Sequence, residues 1–529
     1  MAFSLLDSCL AALALVLLLA SLSRKKRPVP PGPRGLPVLG NLFDIPKKES
    51  WQVYLDWGKQ YNSEILYMNA GGKPMFILNS IKVIQDLLVR RSNIYSDRPR
   101  STMLDELIGT SWLMPFMNKD NKWKGRVNHP PQASVCSFFG LEHRQLFRRE
   151  FDNLAGSTAN KNHEVQAARR LLQRLLTSSD HEGELRLASV DVILSITYGI
   201  TPTNFEHPFI TTPEQINEIF ADVARGGYLV DAFPFLKYLP KWFPGVKFHE
   251  TGERGKALAI DLLMGPYKEV KSQVENGTAV SSVASRFLYA VQEGADTSEG
   301  EIDAMRSVMA NAYLGGADTT VCALYNFTTA MALYPHVQKK AQKVLDDLLS
   351  GQRLPEFSDF GSVPYLAAVV NEVLRWHPVT PFAIYHASNQ DDTYNGYFIP
   401  KGSYMIANSW AILRDESIFG PDTDKFIPER FMKDDANAPG PDLSDVDLAF
   451  GFGRRACPGR LMARDTLWVM AAHILTAYDI TDPVDKDGNK LTADSPMEWS
   501  NAMVSFPPHL RVTFKRRIPE SMIQDALLT

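Results

Sequence analysis

The chain has 529 residues, 45% hydrophobic and 22% charged, proportions that exclude intrinsic disorder and allow one large domain or several ordinary ones. A formal net charge of −4 lacks the basic excess that nucleic-acid binding requires. Four cysteines, Cys9, Cys136, Cys322 and Cys457, are too few for a disulfide framework and suit a body built for a reducing compartment.

Residues 1–23 carry one charge, Asp7, and are apolar throughout from Cys9 to Ala20. A spanning helix needs about 20 apolar residues, with a lower limit near 17, so this segment is predicted to be a short transmembrane anchor. A cleaved signal peptide would carry its positive charge before the apolar core. Here Arg24-Lys25-Lys26-Arg27 follows it, which favours the anchor. By the positive-inside rule these charges stay cytoplasmic, leaving the N-terminus lumenal and the body in the cytosol. Residues 24–40 form a basic and proline-rich hinge, Pro28-Val29-Pro30-Pro31-Gly32-Pro33, stiff enough to hold residues 41–529 off the bilayer.

Short β-prone runs follow, Ile65–Met68 and Pro74–Leu78, separated by Gly71-Gly72. Most of the chain from there to about residue 375 has the pattern of amphipathic helices. Within it, Phe233–Pro244 is dense in aromatics, prolines and lysines. It is either a packed connector or a membrane-contacting patch, since aromatic and lysine side chains favour the bilayer boundary.

Ser298-x-x-Glu301 has the form of a capping box, and a largely apolar helix is predicted from there to Tyr334, where Pro335 ends it. At 1.5 Å per residue it would be roughly 50 Å long. Inside it stands Gly315-Gly316-Ala317-Asp318-Thr319-Thr320. Two mid-helix glycines cost about 1 kcal/mol each relative to alanine. Close helix packing is one explanation; a gap for a small molecule above a flat cofactor is the other, with Asp318 and Thr319 placed to hold water and relay protons. A carboxylate in an apolar helix is expensive unless it is paired or working.

Glu372 and Arg375 lie three apart on one helix face, a spacing that in isolation describes an exposed pair worth little. Phe426-Ile427-Pro428-Glu429-Arg430-Phe431 follows downstream, strand-like segments return over Tyr394–Ala407 and near the C-terminus, and Asp485–Asn489 reads as a turn. The coarse fold class is mainly α with a small β subdomain. No composition shift marks a second catalytic domain.

Phe450-Gly451-Phe452-Gly453-Arg454-Arg455-Ala456-Cys457-Pro458-Gly459 carries the sharpest signal. Gly453 and Gly459 let a tight loop approach a flat ligand. Arg455 is ready to meet an anionic group. The sulfur of Cys457 precedes a helical stretch, Arg460–Ala477, and a helix N-terminus favours thiolate over thiol. A thiolate on a rigid loop is the axial ligand that pushes electron density into heme iron.

Phe450, Gly453, Arg455, Cys457 and Gly459 match at every fixed position the heme-binding signature of the cytochrome P-450 family, Phe-x-x-Gly-x-Arg-x-Cys-x-Gly, and Gly315-Gly316-Ala317-Asp318-Thr319-Thr320 matches its distal-helix motif. The chain resembles the fungal microsomal branch of that family over nearly its whole length. The resemblance implies the P-450 fold, preceded by one N-terminal transmembrane helix, and heme b (iron protoporphyrin IX) held by Cys457 as the iron's axial ligand. It implies a buried network of Glu372, Arg375 and Arg430 behind the cysteine loop. Arg455 and His386 would meet heme propionates, and Val379–Ile384 would line an apolar distal pocket.

The implied activity is a monooxygenase that hydroxylates or epoxidises a hydrophobic small molecule, inserting one atom of O2 and reducing the other to water. Fungal relatives of this kind often tailor terpenoids or polyketides in secondary metabolism. Electrons would come from NADPH through a separate NADPH-cytochrome reductase, because no flavin or nicotinamide domain is visible; Arg148, Arg149 and Arg454 would contribute a docking surface. The implied location is the endoplasmic reticulum membrane, single-pass, with the aromatic patch against lipid. The alternatives are a heme-thiolate isomerase or dehydratase that needs no external electrons, which the Asp318–Thr319 pair speaks against, and a heme-binding product without activity.

That last alternative rests on one departure. The family places Trp-x-x-x-Arg on a helix, both residues contacting a propionate. Here Trp123-Lys124-Gly125 and His143-Arg144 are separated by Arg126–Glu142, which contains Pro130-Pro131 and would break a helix. Deleting these residues restores the spacing, with Trp123 and Arg144 as the pair. The insertion is either a retained intron, since seventeen codons make fifty-one nucleotides, or a genuine surface loop; the restored spacing favours the intron.

Overall fold

The structure, a computed structural model, describes residues 27–37, 39–118, 139–152, 154–224, 226, 228–432, 441 and 443–527. The expected anchor (1–23), Trp123 and residues 126–138 of the insertion lie outside the described residues. Among the described residues no helix is long and apolar enough to cross a membrane. The chain divides into two compact units, one comprising Met1–Pro99, Phe382–Ile412 and Phe452–Arg454, the other Arg100–Pro381, Leu413–Gly451 and Arg455–Thr529.

In the first unit, helix α1 (Ser50–Gln60) precedes strands β1 (Ile65–Ala70) and β2 (Lys73–Leu78). Gly71 and Gly72, both at positive φ, supply the tight turn that pairs the strands antiparallel, with Leu66 opposite Ile77. The later strands β3 (His386–Ala387) and β6 (Tyr404–Ala407) complete a sheet in the order β1-β2-β6-β3; β4 (Asp392–Tyr394) and β5 (Tyr397–Ile399) form a separate hairpin. Alternate side chains Leu66 and Met68 face inward and join Tyr54, Ile77 and Ile406 in a core between sheet and helix.

The second unit is mostly helical. Its main helices are α2 (Phe139–Phe147), α3 (Leu154–Leu175), α4 (His181–Tyr198), α5 (Pro208–Ala224), α6 (Phe248–Glu275), α7 (Glu299–Leu333), α8 (Pro335–Leu349), α9 (Pro364–Trp376) and α10 (Arg460–Ala477). They close on a two-stranded sheet, β7 (Tyr478–Val484) with β8 (Arg511–Arg516), where Ile480 faces Phe514. The capping box that opens α7 forms: the Glu301 amide donates to Ser298 Oγ at 3.3 Å and the Ser298 amide donates to Glu301 Oε2 at 2.9 Å. Its 35 residues run through the core between α4, α2 and α10. From Ala304 onward most of its side chains are buried, and Leu314, Gly315, Gly316, Thr319 and Thr320 form the longest break in that run; that interruption locates the site.

Candidate active site

The two adjacent glycines of α7 do different things. A Cβ on Gly316 would come within 2.8 Å of Ile193 Cγ1 on α4, so this glycine lets two helices pack closely. A Cβ on Gly315 would meet nothing within 4 Å. Close packing explains the second glycine and open space explains the first. Gly315 is itself exposed on that side of the helix, and the half-buried Thr319 and Thr320 stand one turn further on. The Thr319 hydroxyl donates to the Gly315 carbonyl at 2.6 Å, a back-bond across one turn that tends to bend a helix.

Asp318, the next residue on the helix, is turned elsewhere. Its Oδ2 accepts from Asn217 Nδ2 on α5 at 2.7 Å and its Oδ1 from Arg186 on α4 at 3.3 Å. Arg186 also pairs with Glu214 on α5 at 2.8 Å, at the partly exposed rim of the cluster. Burial pushes the Asp318 carboxyl up from the usual range, and the Arg186 charge and the Asn217 hydrogen bond pull against it. Neither Arg186 nor Asn217 is visible as a site residue in the sequence. They lie 132 and 101 positions away, and an isolated Arg or Asn on an amphipathic helix carries no signal.

Half-buried Cys457 sits just before α10, and its amide donates to the Phe450 carbonyl at 2.7 Å, closing the loop. Burial pushes the thiol up, while the Gly459 amide and the Arg144 and Arg460 guanidinium groups act in the opposite sense. The thiolate expected from the helix end alone is therefore outweighed by burial; a coordinated cation is what ionises such a sulfur outright. Arg144, on α2, donates to the carbonyls of Ala456 (2.7 Å) and Arg455 (3.3 Å). These acceptors are neutral, so the contact leaves its charge available to an anion. Arg455 donates to the Met117 carbonyl at 2.6 Å. Helix α2 packs on α7 and so joins the cysteine loop to the helix with the gap. Phe450 carries the Arg464 guanidinium over its ring at 5.6 Å, and Gly459 caps α10.

Behind the loop, Glu372 and Arg375 on α9 are fully buried, not exposed. Glu372 accepts from Arg375 Nε (2.6 Å) and Nη2 (2.9 Å), Arg430 Nε (3.1 Å) and the Ile427 amide (2.7 Å). Arg375 in turn donates to the carbonyls of Leu413, Thr423 and Lys425. The structure brings this triad together as expected of a buried network.

Two expected site residues fall in the first unit. Gly453 has φ +56°, and a Cβ there would stand 2.4 Å from the Leu88 carbonyl oxygen, so only glycine fits. His386 is buried in β3 with Nδ1 donating to the Tyr95 carbonyl at 2.7 Å. Arg98, which sequence reasoning missed, donates to the carbonyls of Ile384 and Tyr385 beside it.

The residues fit heme. The donor set is a single half-buried sulfur with the Arg144 and Arg460 charges acting on it, and the same unit holds a helix position without a side chain that opens on free space. Comparison with known proteins gives the family. The cytochrome P450 family model matches residues 30–506. Cytochrome P450 monooxygenase eriA of Hericium erinaceus is 46% identical over 507 residues, 95% of this chain and 92% of that protein. Cytochrome P450 monooxygenase ple1 of Rhodocybe pseudopiperita is 36% identical over 97% of this chain and 94% of its own length. Tryptamine 4-monooxygenase of Psilocybe cyanescens is 35% identical over 93% and 94%.

Proposed function

We propose, on the premise that this chain belongs to the cytochrome P450 family and is an oxygen-incorporating oxidoreductase, that it hydroxylates or epoxidises a hydrophobic small molecule in fungal secondary metabolism, of the terpenoid or polyketide class. Support comes above all from one observation: a half-buried Cys457 flanked by Arg144, in the same unit as a helix whose bare position, Gly315, opens on empty space and whose carbonyl receives the Thr319 hydroxyl. Heme b bound through Cys457 supplies the activation of dioxygen.

The chain's own residues do the rest. Arg144 and Arg455 hold the propionates, the first from α2 and the second from the loop. Thr319 releases its bond to the Gly315 carbonyl to hold water and pass a proton, and Asp318 passes protons inward from the partly exposed Arg186–Glu214 rim. Half-buried Val379 gives the space an apolar wall. Electrons come from NADPH by way of a separate reductase. The basic docking surface includes Arg148 and Arg149, the latter partly compensated by Glu150 at 2.7 Å. Residues 1–23 anchor the protein in the endoplasmic reticulum membrane with the enzyme facing the cytosol. The exposed Tyr238 and Trp242 meet the lipid boundary, where aromatic rings with a polar edge are at home, and the exposed Phe235 adds apolar surface beside them.

The test is spectral and chemical. Reduced Cys457→Ala should lose the thiolate-type carbon monoxide difference spectrum, whereas Cys322→Ala should keep it. Metabolite profiling after co-expression with a reductase should yield an oxygenated product. A thiolate spectrum surviving in Cys457→Ala would sink the assignment.

A further inference from the structure

The run that leads to Cys457 is held by the helix that follows it. Asp447 opens a short 3-10 turn, Asp447–Phe450. Arg460 and Arg464 stand four apart on α10, where like charges on neighbouring turns repel. The Asp447 carboxylate meets both of them: Oδ1 is 2.8 Å from Arg464 Nη1 and Oδ2 is 3.5 Å from Arg460 Nε. One acid thus serves two guanidinium groups. The second of them also lies over the Phe450 ring, 5.6 Å from its centroid, a favourable place for a cation. Phe450 is the residue whose carbonyl receives the Cys457 amide. The start of the loop, its end and the first two turns of α10 are therefore joined through Asp447.

The charges in this assembly bear on the sulfur. Arg144 and Arg460 favour its ionised form, and Asp152 opposes it. Arg144 donates to neutral carbonyls and keeps its charge. Arg460 is shared, because it acts on Cys457 and is partly neutralised by Asp447. The proposed function gives Asp447, Arg460 and Arg464 no task. Reduction of a thiolate-bound heme iron adds one negative charge beside the sulfur. A nearby guanidinium favours that reduced form, and a carboxylate that neutralises the guanidinium disfavours it.

We infer that Asp447 is a positioning residue: by pairing Arg460 and Arg464 it limits the positive field at Cys457 and so holds down the reduction potential of the iron. This inference rests on the proposed heme-monooxygenase function.

The experiment is a spectroelectrochemical titration of ligand-free, full-length holoenzyme, with heme content and the carbon monoxide difference spectrum recorded for each form. Asp447→Asn keeps the shape and removes the charge. The side chains of Asp447 and Arg460 are 36% and 32% exposed, so solvent weakens the effect. The expected change is about fivefold in the ferrous-to-ferric ratio at a fixed potential, or about 40 mV upward for a one-electron couple. Asp447→Glu keeps the anion and should stay near wild type. Arg460→Gln should move the potential downward, and it carries the test where Asp447→Asn does not fold. The Asp447→Asn shift should also shrink as ionic strength rises, since salt screens exposed charges, whereas displacement of the loop would not respond in that way. A wild-type potential in either Asp447→Asn or Arg460→Gln, or shifts of the same sign in both, overturns the inference. A wild-type protein without the thiolate spectrum instead overturns the proposed function.

Discussion

Glu372→Ala should be among the most damaging single changes outside the cysteine loop. Four hydrogen bonds converge on this carboxylate, and neither it nor Arg375 is exposed. Its removal leaves the Arg375 guanidinium with carbonyl acceptors at Leu413, Thr423 and Lys425 but without the anion beside it. The enclosed Arg414, whose pKa burial and the Arg375 charge already lower to about 9, loses a stabilising charge too. Breaking a buried ion pair from one side costs about 3–5 kcal/mol, against about 0–1 kcal/mol for an exposed pair. Total stability of a protein is roughly 5–15 kcal/mol, so the change consumes a large part of it and lowers the folded-to-unfolded ratio by roughly two to three and a half powers of ten. A chain this long is apt to unfold irreversibly, so the measurement is heme content per polypeptide and the half-life of the thiolate spectrum at a fixed elevated temperature. Glu372→Gln keeps the shape and an acceptor oxygen without the charge, and should fall between wild type and alanine. Glu372→Ala with wild-type heme content and half-life would refute the reasoning, because it would mean the triad contributes no more than a surface pair.

Thr319→Ala should leave heme reduction intact but break the delivery of protons, so NADPH consumption continues with electrons diverted to peroxide; an unchanged ratio of product to NADPH removes Thr319 from the mechanism. His473 is buried on α10 with Nδ1 donating to the Val469 carbonyl at 2.9 Å, and burial lowers its pKa to about 4. The unfolded chain takes up that proton first as pH falls, so the stability held by the neutral ring is complete above the unfolded value near 6.5 and drains away toward 4, by roughly 2 kcal/mol at pH 5. Half-life should shorten between pH 7 and 5, and His473→Leu should flatten that part of the profile; identical slopes in both proteins would reject the assignment. Deleting Arg126–Glu142 should raise heme content per polypeptide by returning Trp123 and Arg144 to adjacent turns of one helix, and a longer form that binds heme as well and turns over as fast would mark the insertion as a tolerated loop.

What could be read from the sequence was whatever is written locally. The capping box at Ser298, the stop at Pro335 and the glycine turn between β1 and β2 each sit within ten residues of the feature they specify and take the expected form, and the run around Cys457 closes on itself within eight residues. The pair Glu372–Arg375 was legible as a pair, but its burial was legible only through the family resemblance and not from the residues themselves, because that depends on the Ile427 amide and three carbonyls some forty to fifty residues downstream. Nor could the sequence divide labour between Gly315 and Gly316, since only the position of Ile193 on a neighbouring helix does so. Asp318 was read as facing the reaction space; its ties to Arg186 and Asn217 depend on how α4 and α5 lie across α7.

The contrast between those two glycines sets stability and activity against each other at a single atom. A methyl group at residue 316 must push into Ile193, so packing keeps that position bare whatever catalysis asks. At residue 315 they diverge. Alanine there would touch no neighbour and would gain about 1 kcal/mol in helix propensity, so a search for thermostable variants that ignored turnover would accept it early. Under the proposed function, the volume it fills is the volume the reaction uses. Gly315 is thus a position where a directed-evolution campaign on heat tolerance would drift away from function while every structural criterion improved.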